Sequence, residues 1–242
     1  MDDNMAYDGI FFDSGGTIYG FDGNASGDPR HADIWANMAT RAHSALGWLG
    51  ISATLEEISE HIQQLHTEGR KAPPGYTEET LVHALFERLG APPRRDHVVY
   101  VTGVVSGPRF HSWLFPGVAK TLQCLTDAGL YVGIIANTHV PGWVMDRNFR
   151  GVELLQYFAH RVYSGDEGVE KPDPQIFRIA EERAQMGGSR LIYMGDRVDK
   201  DIAGAQAAGW DSILFRSVLA TSDGQATFEI DHWAELPRLL MS

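Results

Sequence analysis

The tightest constraint on this fold is a short apolar run that ends in a carboxylate. Residues 8–18 read Asp-Gly-Ile-Phe-Phe-Asp-Ser-Gly-Gly-Thr-Ile. Ile10, Phe11 and Phe12 form a strand-like stretch, Asp13 closes it, and Gly15, Gly16 and Thr17 follow at once. A strand that delivers an acid into a glycine-rich turn places that acid at the carboxyl edge of a sheet, where open α/β folds bind ligands.

The rest of the chain says what kind of sheet this is. From Phe115 onward, helix and strand signals alternate. Pro116-Gly117 opens a helix that stops at Gly129. A buried strand is expected over 130–136, a helix over 144–158 and a strand over 160–163. A helix over 172–185 has proline near its start. A strand over 191–194 ends in Gly195-Asp196, a small-residue helix over 201–208 stops at Gly209, and a strand covers 212–215. Strands separated by helices imply a parallel sheet covered on both faces.

Between these parts the pattern changes. Beyond a glycine- and aspartate-rich lead-in at 20–29, the chain reads as successive helices over 31–48, 55–66 and 77–89, with Thr77 as an N-cap. A further helix over 96–105 is weaker because of its β-branched residues. The expected class is therefore α/β, a Rossmann-like parallel sheet interrupted after its first strand by a helical insert. Residues 1–19 and 114–242 make the core, and 20–113 the insert.

Composition narrows the partners. The chain has 242 residues, 43% of them hydrophobic, within the ordinary range for a globular protein. No apolar run approaches the ~20 residues that cross a bilayer. The acidic start, Met1-Asp2-Asp3-Asn4, does not resemble a secretory signal, and the single cysteine, Cys124, fits a reducing cytoplasm. Leu122 and Leu125 beside it point to a buried, inert thiol in a core helix. A formal net charge of −12 and the lack of a Lys/Arg cluster argue against nucleic acid. An anionic small-molecule substrate needs a bound cation and a local lysine to reverse that field.

Four chemical segments fall at expected strand ends. They are Asp13, Asn137-Thr138, Lys171-Pro172-Asp173-Pro174, and the run from Gly195-Asp196 to Asp201. A carboxylate can attack phosphorus and form an acyl phosphate. Acids from two strand ends can hold Mg²⁺. A lysine can neutralise charge on a transferred group, and glycines let backbone N–H groups approach an anion.

In this order the segments resemble the haloacid dehalogenase superfamily, with Phe115-Pro116-Gly117-Val118 similar to the return from that family's helical cap. The resemblance covers the whole chain. It implies Asp13 as nucleophile and metal ligand, the Gly15 carbonyl and Asp196 as further Mg²⁺ ligands, Asp201 supporting the metal, and Lys171 holding Asp13 and the transferred group. Gly16, Thr17, Asn137 and Thr138 are the candidate substrate-binding residues. The implied activity is Mg²⁺-dependent hydrolysis of a small phosphorylated metabolite through a phosphorylated Asp13.

Two positions depart from that pattern. Gly15 stands where family phosphatases usually carry a second aspartate that protonates the leaving group. Ala136 stands where a phosphate-binding Ser or Thr is usual, and Thr138 either compensates or caps the following helix. Two alternatives therefore stay open: hydrolysis at a C–P or carbon–halogen bond, and a binding protein without turnover. Lys71, the insert's lysine, reads as surface but is the imine candidate for the C–P alternative. His111 and His139 are better placed than the other histidines as candidates to face substrate. His31, His43, His61, His66 and His83 read as exposed helix faces, and Trp35, Trp48 and Trp113 as packing. Asp199 reads as part of a solvated turn and Asp173 as a helix start.

Overall fold

The computed structural model describes residues 6–20, 37–106, 114–216 and 224–241. Six parallel strands form one sheet in the order β3-β2-β1-β4-β5-β6. They are β1 Gly9–Phe12, β2 Tyr131–Ala136, β3 His160–Tyr163, β4 Leu191–Gly195, β5 Asp211–Phe215 and β6 Phe228–Ile230. β1 lies between β2 and β4, with Phe12 opposite both Ile134 and Met194. The central strand is thus the one that ends in Asp13.

Alternation along the strands divides the core between two faces. Ile10, Phe12, Ile134, Ile192 and Met194 join one apolar cluster. Phe11, Ile135, Leu191 and Tyr193 join the other. Burial on both faces is why these strands read as continuous apolar runs.

Four described helices lie between β1 and the return to the sheet: α1 Met38–Trp48, α2 Leu55–Gly69, α3 Glu78–Arg88 and α4 Arg95–Val105. They bury their own cluster, including Leu46, Ile58, Leu65, Leu85, Phe86 and Val101. Local chemistry sets two of their starts. Thr54 and Glu57 form a reciprocal capping box on α2, and Thr77 with Thr80 does the same on α3. The helical insert is fastened to the sheet through α3 and α4. The Glu78 N–H donates to His139 O at 2.8 Å, Trp143 Nε1 to Glu79 Oε2 at 3.0 Å, and Arg147 Nη1 to Gly103 O at 2.8 Å.

The remaining helices are α5 Val118–Asp127, α6 Gly142–Gly151, α7 Ser164–Glu167, α8 Pro174–Ala184, α9 Ala203–Ala207 and α10 Leu236–Leu240. Asp173 caps α8 by accepting from the Gln175 N–H at 2.9 Å, and Gly129 ends the α5 turn at φ +87°. Among the described residues no helix is long and apolar enough to cross a membrane.

Several expectations need correction. The helix expected over 144–158 stops at Gly151 and a separate short turn follows at Leu155–Tyr157. Glu153 turns left-handed there (φ +58°), and Leu154 and Phe158 enter the core. The helix expected from 201 starts as a π-turn over Val198–Ile202 before α9. β6 and α10 were not expected; a strand of three residues and a helix of five carry too little periodicity. Trp48 is 84% exposed, because the buried face of α1 ends at Leu46. Cys124 is only partly buried. His31, Trp35, His111 and Trp113 lie outside the described residues, as does the lead-in beyond Gly20.

Candidate active site

Asp13 sits one residue beyond β1, its N–H donating to Met194 O at 2.8 Å, so β4 fixes its height at the sheet edge. The backbone then turns back sharply. Gly16 N–H donates to Tyr19 O at 2.7 Å, and Gly16 takes φ +86°. A Cβ on Gly16 would lie 2.4 Å from Asp196 Oδ2, so glycine is required both by conformation and by the approach of the carboxylate. Gly195 is equally confined; a Cβ there would meet Asp201 Cγ at 2.3 Å.

Lys171 enters from the segment between β3 and α8. Asn137, just past β2, holds its backbone twice: Nδ2 donates to Lys171 O and Oδ1 accepts from the Lys171 N–H, each at 2.9 Å. The Lys171 side chain is 2% exposed. Its ammonium has three N–H donors, and three oxygens surround it: Asp13 Oδ1 at 2.6 Å, Asp201 Oδ1 at 2.6 Å and Tyr193 Oη at 2.7 Å. Tyr193 in turn donates to Ile135 O at 2.6 Å.

The π-turn aims Asp201. Arg197 O accepts from both the Asp201 and Ile202 N–H groups, and Asp201 Oδ2 accepts from the Arg197 N–H at 2.9 Å. Wide turns of this kind are frequent at functional sites. Asp199 instead pairs with Arg197 at the surface, at 2.8 Å.

Asp13, Asp196 and Asp201 are buried, with one carboxylate oxygen of each within 4.8 Å of the others. Asp196 Oδ1 is buried with no hydrogen-bond partner. The crowding shows in the acidities. Burial pushes Asp13 up to about 6, with Lys171 pulling down and Asp201 pushing up. Burial, then the Asp13 and Asp201 charges, push Asp196 up to about 8, against the pull of Lys171. Burial alone pulls the Lys171 ammonium down, but Asp13 and Asp201 outweigh it and the net shift is upward. One ammonium against three carboxylates leaves the pocket short of positive charge. The orphaned Asp196 oxygen and the all-oxygen donor set fit a hard divalent cation.

The other predicted positions fall around this centre. Gly15 bridges to Tyr19 within the turn. Thr17 is fully buried, its Oγ1 without a hydrogen-bond partner and its carbonyl accepting from Trp233 Nε1 at 2.9 Å. Thr138 Oγ1 accepts from the Val140 N–H at 2.9 Å, and the Thr138 N–H donates to Ser164 Oγ at 3.0 Å. The hydroxyl is thus used in its own loop. Ala136 is fully buried in the core. Exposed His139 has its Nδ1 3.0 Å from Tyr76 O, toward the insert. Lys71 is exposed. Tyr193 was not anticipated; its signal was a polar-tipped residue within the apolar run Leu191-Ile192-Tyr193-Met194.

A parallel sheet with strand-end acids gathered around a buried lysine defines a class of α/β hydrolases. Within it, the chain belongs to the haloacid dehalogenase-like hydrolase family, whose description matches residues 7–209. A glyceraldehyde 3-phosphate phosphatase of Methanopyrus kandleri is 29% identical over 191 residues, covering 75% of this chain and 78% of that one. A second, from Pyrococcus furiosus, is 34% identical over 102 residues, 42% of this chain and 41% of its own length. In fold, the chain is similar to a 2-haloacid dehalogenase of Pseudomonas syringae pv. Tomato DC3000. There the TM-score is 0.64 at 22% identity, over 95% of this chain and 96% of that one.

Proposed function

We propose that this chain is a Mg²⁺-dependent phosphatase of a small phosphorylated metabolite, acting in the cytoplasm through a phosphorylated Asp13. The observation that carries the reading is the 2.6 Å contact of Lys171 Nζ with Asp13 Oδ1 beside the buried Asp196 and Asp201. The phosphatase relatives support the substrate class. Asp13, Asp196 and the Gly15 carbonyl are the residues to hold Mg²⁺, with Asp201 behind them. Mg²⁺ bound there supplies positive charge against the oxygens of the transferring group.

The chain's own residues do the rest. With its acidity at about 6, Asp13 is mostly ionised at neutral pH. One of its oxygens bonds to phosphorus as the ester P–O bond breaks, and the leaving oxygen keeps the bonding pair. Lys171 holds the attacking carboxylate and offsets charge as it spreads onto the transferred group. Gly16 and Thr17 line that group as residues of the turn; the Gly16 N–H is held by Tyr19 O, and the Thr17 N–H is the backbone donor offered to it. Asn137 serves by fixing the Lys171 backbone. Water then attacks the phosphorus of the acyl phosphate, phosphate departs, its extra proton passes to solvent, and the Asp13 carboxylate returns. Residues 20–113 act as the cap over this edge, with 1–19 and 114–242 as the core.

Gly15 shapes the expected specificity. It has no proton for the leaving oxygen, and such assistance is worth about 10²–10⁴ in rate. Aryl and acyl phosphates, whose leaving groups depart as stable anions, are therefore favoured over alkyl esters. The test is hydrolysis of all three, with and without Mg²⁺, by the native chain, Asp13→Asn and Gly15→Asp. The expected result is Mg²⁺-dependent turnover of good leaving groups, loss in Asp13→Asn, and faster alkyl hydrolysis in Gly15→Asp. Equal native rates for aryl and alkyl esters would show that another group gives the proton. Metal binding without any turnover would favour a binding protein, and halide release without metal a dehalogenase.

A further inference from the structure

Trp233 starts a short turn between β6, the edge strand, and α10, and its side chain reaches back to the central strand. The indole is 1% exposed and stacks on Phe12, the residue before Asp13, with ring centroids 5.0 Å apart and 21° between the planes. Its Nε1–H donates to Thr17 O, beyond Asp13, at 2.9 Å. One side chain thus touches the chain on both sides of the nucleophile. The indole is itself held. Glu235 Oε1 accepts from the Asp231 and His232 N–H groups at 2.9 and 2.7 Å, and Thr121 Oγ1 on α5 donates to Trp233 O at 3.2 Å. Leu236 and Leu240 of α10 bury in the same apolar cluster.

A buried indole N–H needs an acceptor, and any core carbonyl would satisfy it. The acceptor here is one on which the catalytic turn depends. Thr17 O belongs to the Thr17–Ile18 peptide, whose N–H donates to Ser14 O at 2.8 Å. That peptide is bonded on both sides, which fixes its plane. Ser14 O in turn belongs to the Ser14–Gly15 peptide, which carries the chain away from Asp13. A relay of hydrogen bonds therefore runs from the indole to the residue next to the nucleophile. Backbone groups hold the ends of the turn: the Asp13 N–H donates to Met194 O at 2.8 Å, and Ile18 O accepts from the Phe115 N–H at 3.0 Å. The indole holds the stretch between them.

We propose that Trp233 is a positioning residue for phosphoryl transfer: its indole N–H sets the Thr17–Ile18 peptide and, through Ser14 O, the direction in which the Asp13 carboxylate meets phosphorus. The proposal rests on the phosphatase reading above and adds to it a residue from outside the strand-end segments. An attacking oxygen is sensitive to such aim, since a misplacement of about 1 Å can cost about 100-fold in rate. The indole holds the nucleophile's turn from behind and is sealed in the core, so its loss falls on kcat rather than on KM.

The experiment replaces Trp233 in the full chain with benzothienylalanine, in which sulfur stands for the indole N–H, and separately with Phe. The first keeps the ring's shape and its stacking on Phe12 and removes only the donor; Trp233→Phe removes bulk as well. Trp210→Phe is the control, because Trp210 is buried on the opposite face of the sheet, packed on Phe11 and Phe177. Each chain is assayed on p-nitrophenyl phosphate with Mg²⁺ at a temperature where near-UV circular dichroism shows it folded. Both replacements of Trp233 are expected to lower kcat about 10-fold with KM within about twofold of native, and Trp210→Phe to leave both constants within about twofold. Native kcat in the folded benzothienyl chain, a rise in KM without a fall in kcat, or an equal fall in kcat in Trp210→Phe would overturn the proposal, whichever way Tm moves. If Trp233→Phe does not fold, the benzothienyl chain decides. No turnover by the native chain defeats the phosphatase reading and this role together; native turnover with unchanged kcat in the benzothienyl chain defeats the role alone.

Discussion

Tyr193 accepts a hydrogen bond from Lys171 Nζ at 2.7 Å and donates its own O–H to the Ile135 carbonyl at 2.6 Å. The phenol thus ties the site's ammonium to the backbone of β2 from within β4. All three donors of Lys171 are aimed by protein groups before any substrate arrives.

Replacing that phenol tests whether aim matters. Tyr193→Phe keeps the ring's packing against Phe177 but leaves one buried Lys171 N–H without its phenol partner and removes the hydrogen bond to the Ile135 carbonyl. An orphaned buried polar group costs about 1–3 kcal/mol. We expect a stability loss in that range by urea unfolding. We expect kcat on an aryl phosphate to fall roughly tenfold, the equivalent of about 1.4 kcal/mol, with KM little changed. A fall in stability with kcat intact would assign Tyr193 to packing alone.

Asn137 offers a second route to the same lysine. Asn137→Ala deletes both hydrogen bonds to the Lys171 backbone. Lost positioning should lower kcat at least as far as Tyr193→Phe does, and unfolding should become easier by about 1–3 kcal/mol. A rise in KM alone would instead make Asn137 a direct substrate contact.

Gly16→Ala is expected to be far worse than its single methyl suggests. The position is left-handed, and the new Cβ would meet Asp196 Oδ2 at 2.4 Å. Strain of this kind is worth about 1–3 kcal/mol. Displacement of Asp196 should also weaken Mg²⁺ binding. Thermal melting with and without Mg²⁺ reads both effects, and a native-like rise in Tm on adding metal would contradict the second.

The acidities set a pH dependence with a definite sign. Asp13 and Asp196 are raised from 3.8 to about 6 and about 8 in the folded chain. A carboxylate raised on folding lends stability that is fully present below its unfolded value and is lost as pH rises through the folded one. In EDTA, stability should therefore fall between pH 4 and pH 8, first through Asp13 and then through Asp196. Mg²⁺ should offset the loss most at the alkaline end, and Asp196→Asn should flatten the upper half. Melting curves across that range check it; a rise toward pH 8 in EDTA would refute it.

How much of this was legible in the sequence depends on the span over which a signal accumulates. Asp13 and Asp196 follow the apolar runs Ile10-Phe11-Phe12 and Leu191-Ile192-Tyr193-Met194, and those runs fix strand ends directly; Lys171 was marked instead by the prolines that follow it. The capping residues Thr77 and Asp173 were readable for the same local reason. The geometry around Lys171 was not. Tyr193 and Asp201 reach it through tertiary contacts 22 and 30 residues away, and the π-turn that aims Asp201 has no periodic signature. Asn137 was expected to face substrate, whereas its amide is spent on the Lys171 backbone. That pairing spans 34 residues, and a list of motifs does not contain it.

Lys171 gathers partners from behind β1, from β4 and from the π-turn, while its backbone is pinned behind β2. The middle of the sheet therefore meets in one nitrogen. A half-melted molecule that keeps most of its helices but frees any of these strands has already lost its chemistry. Turnover is in this sense a reporter of cooperative order across the three middle strands.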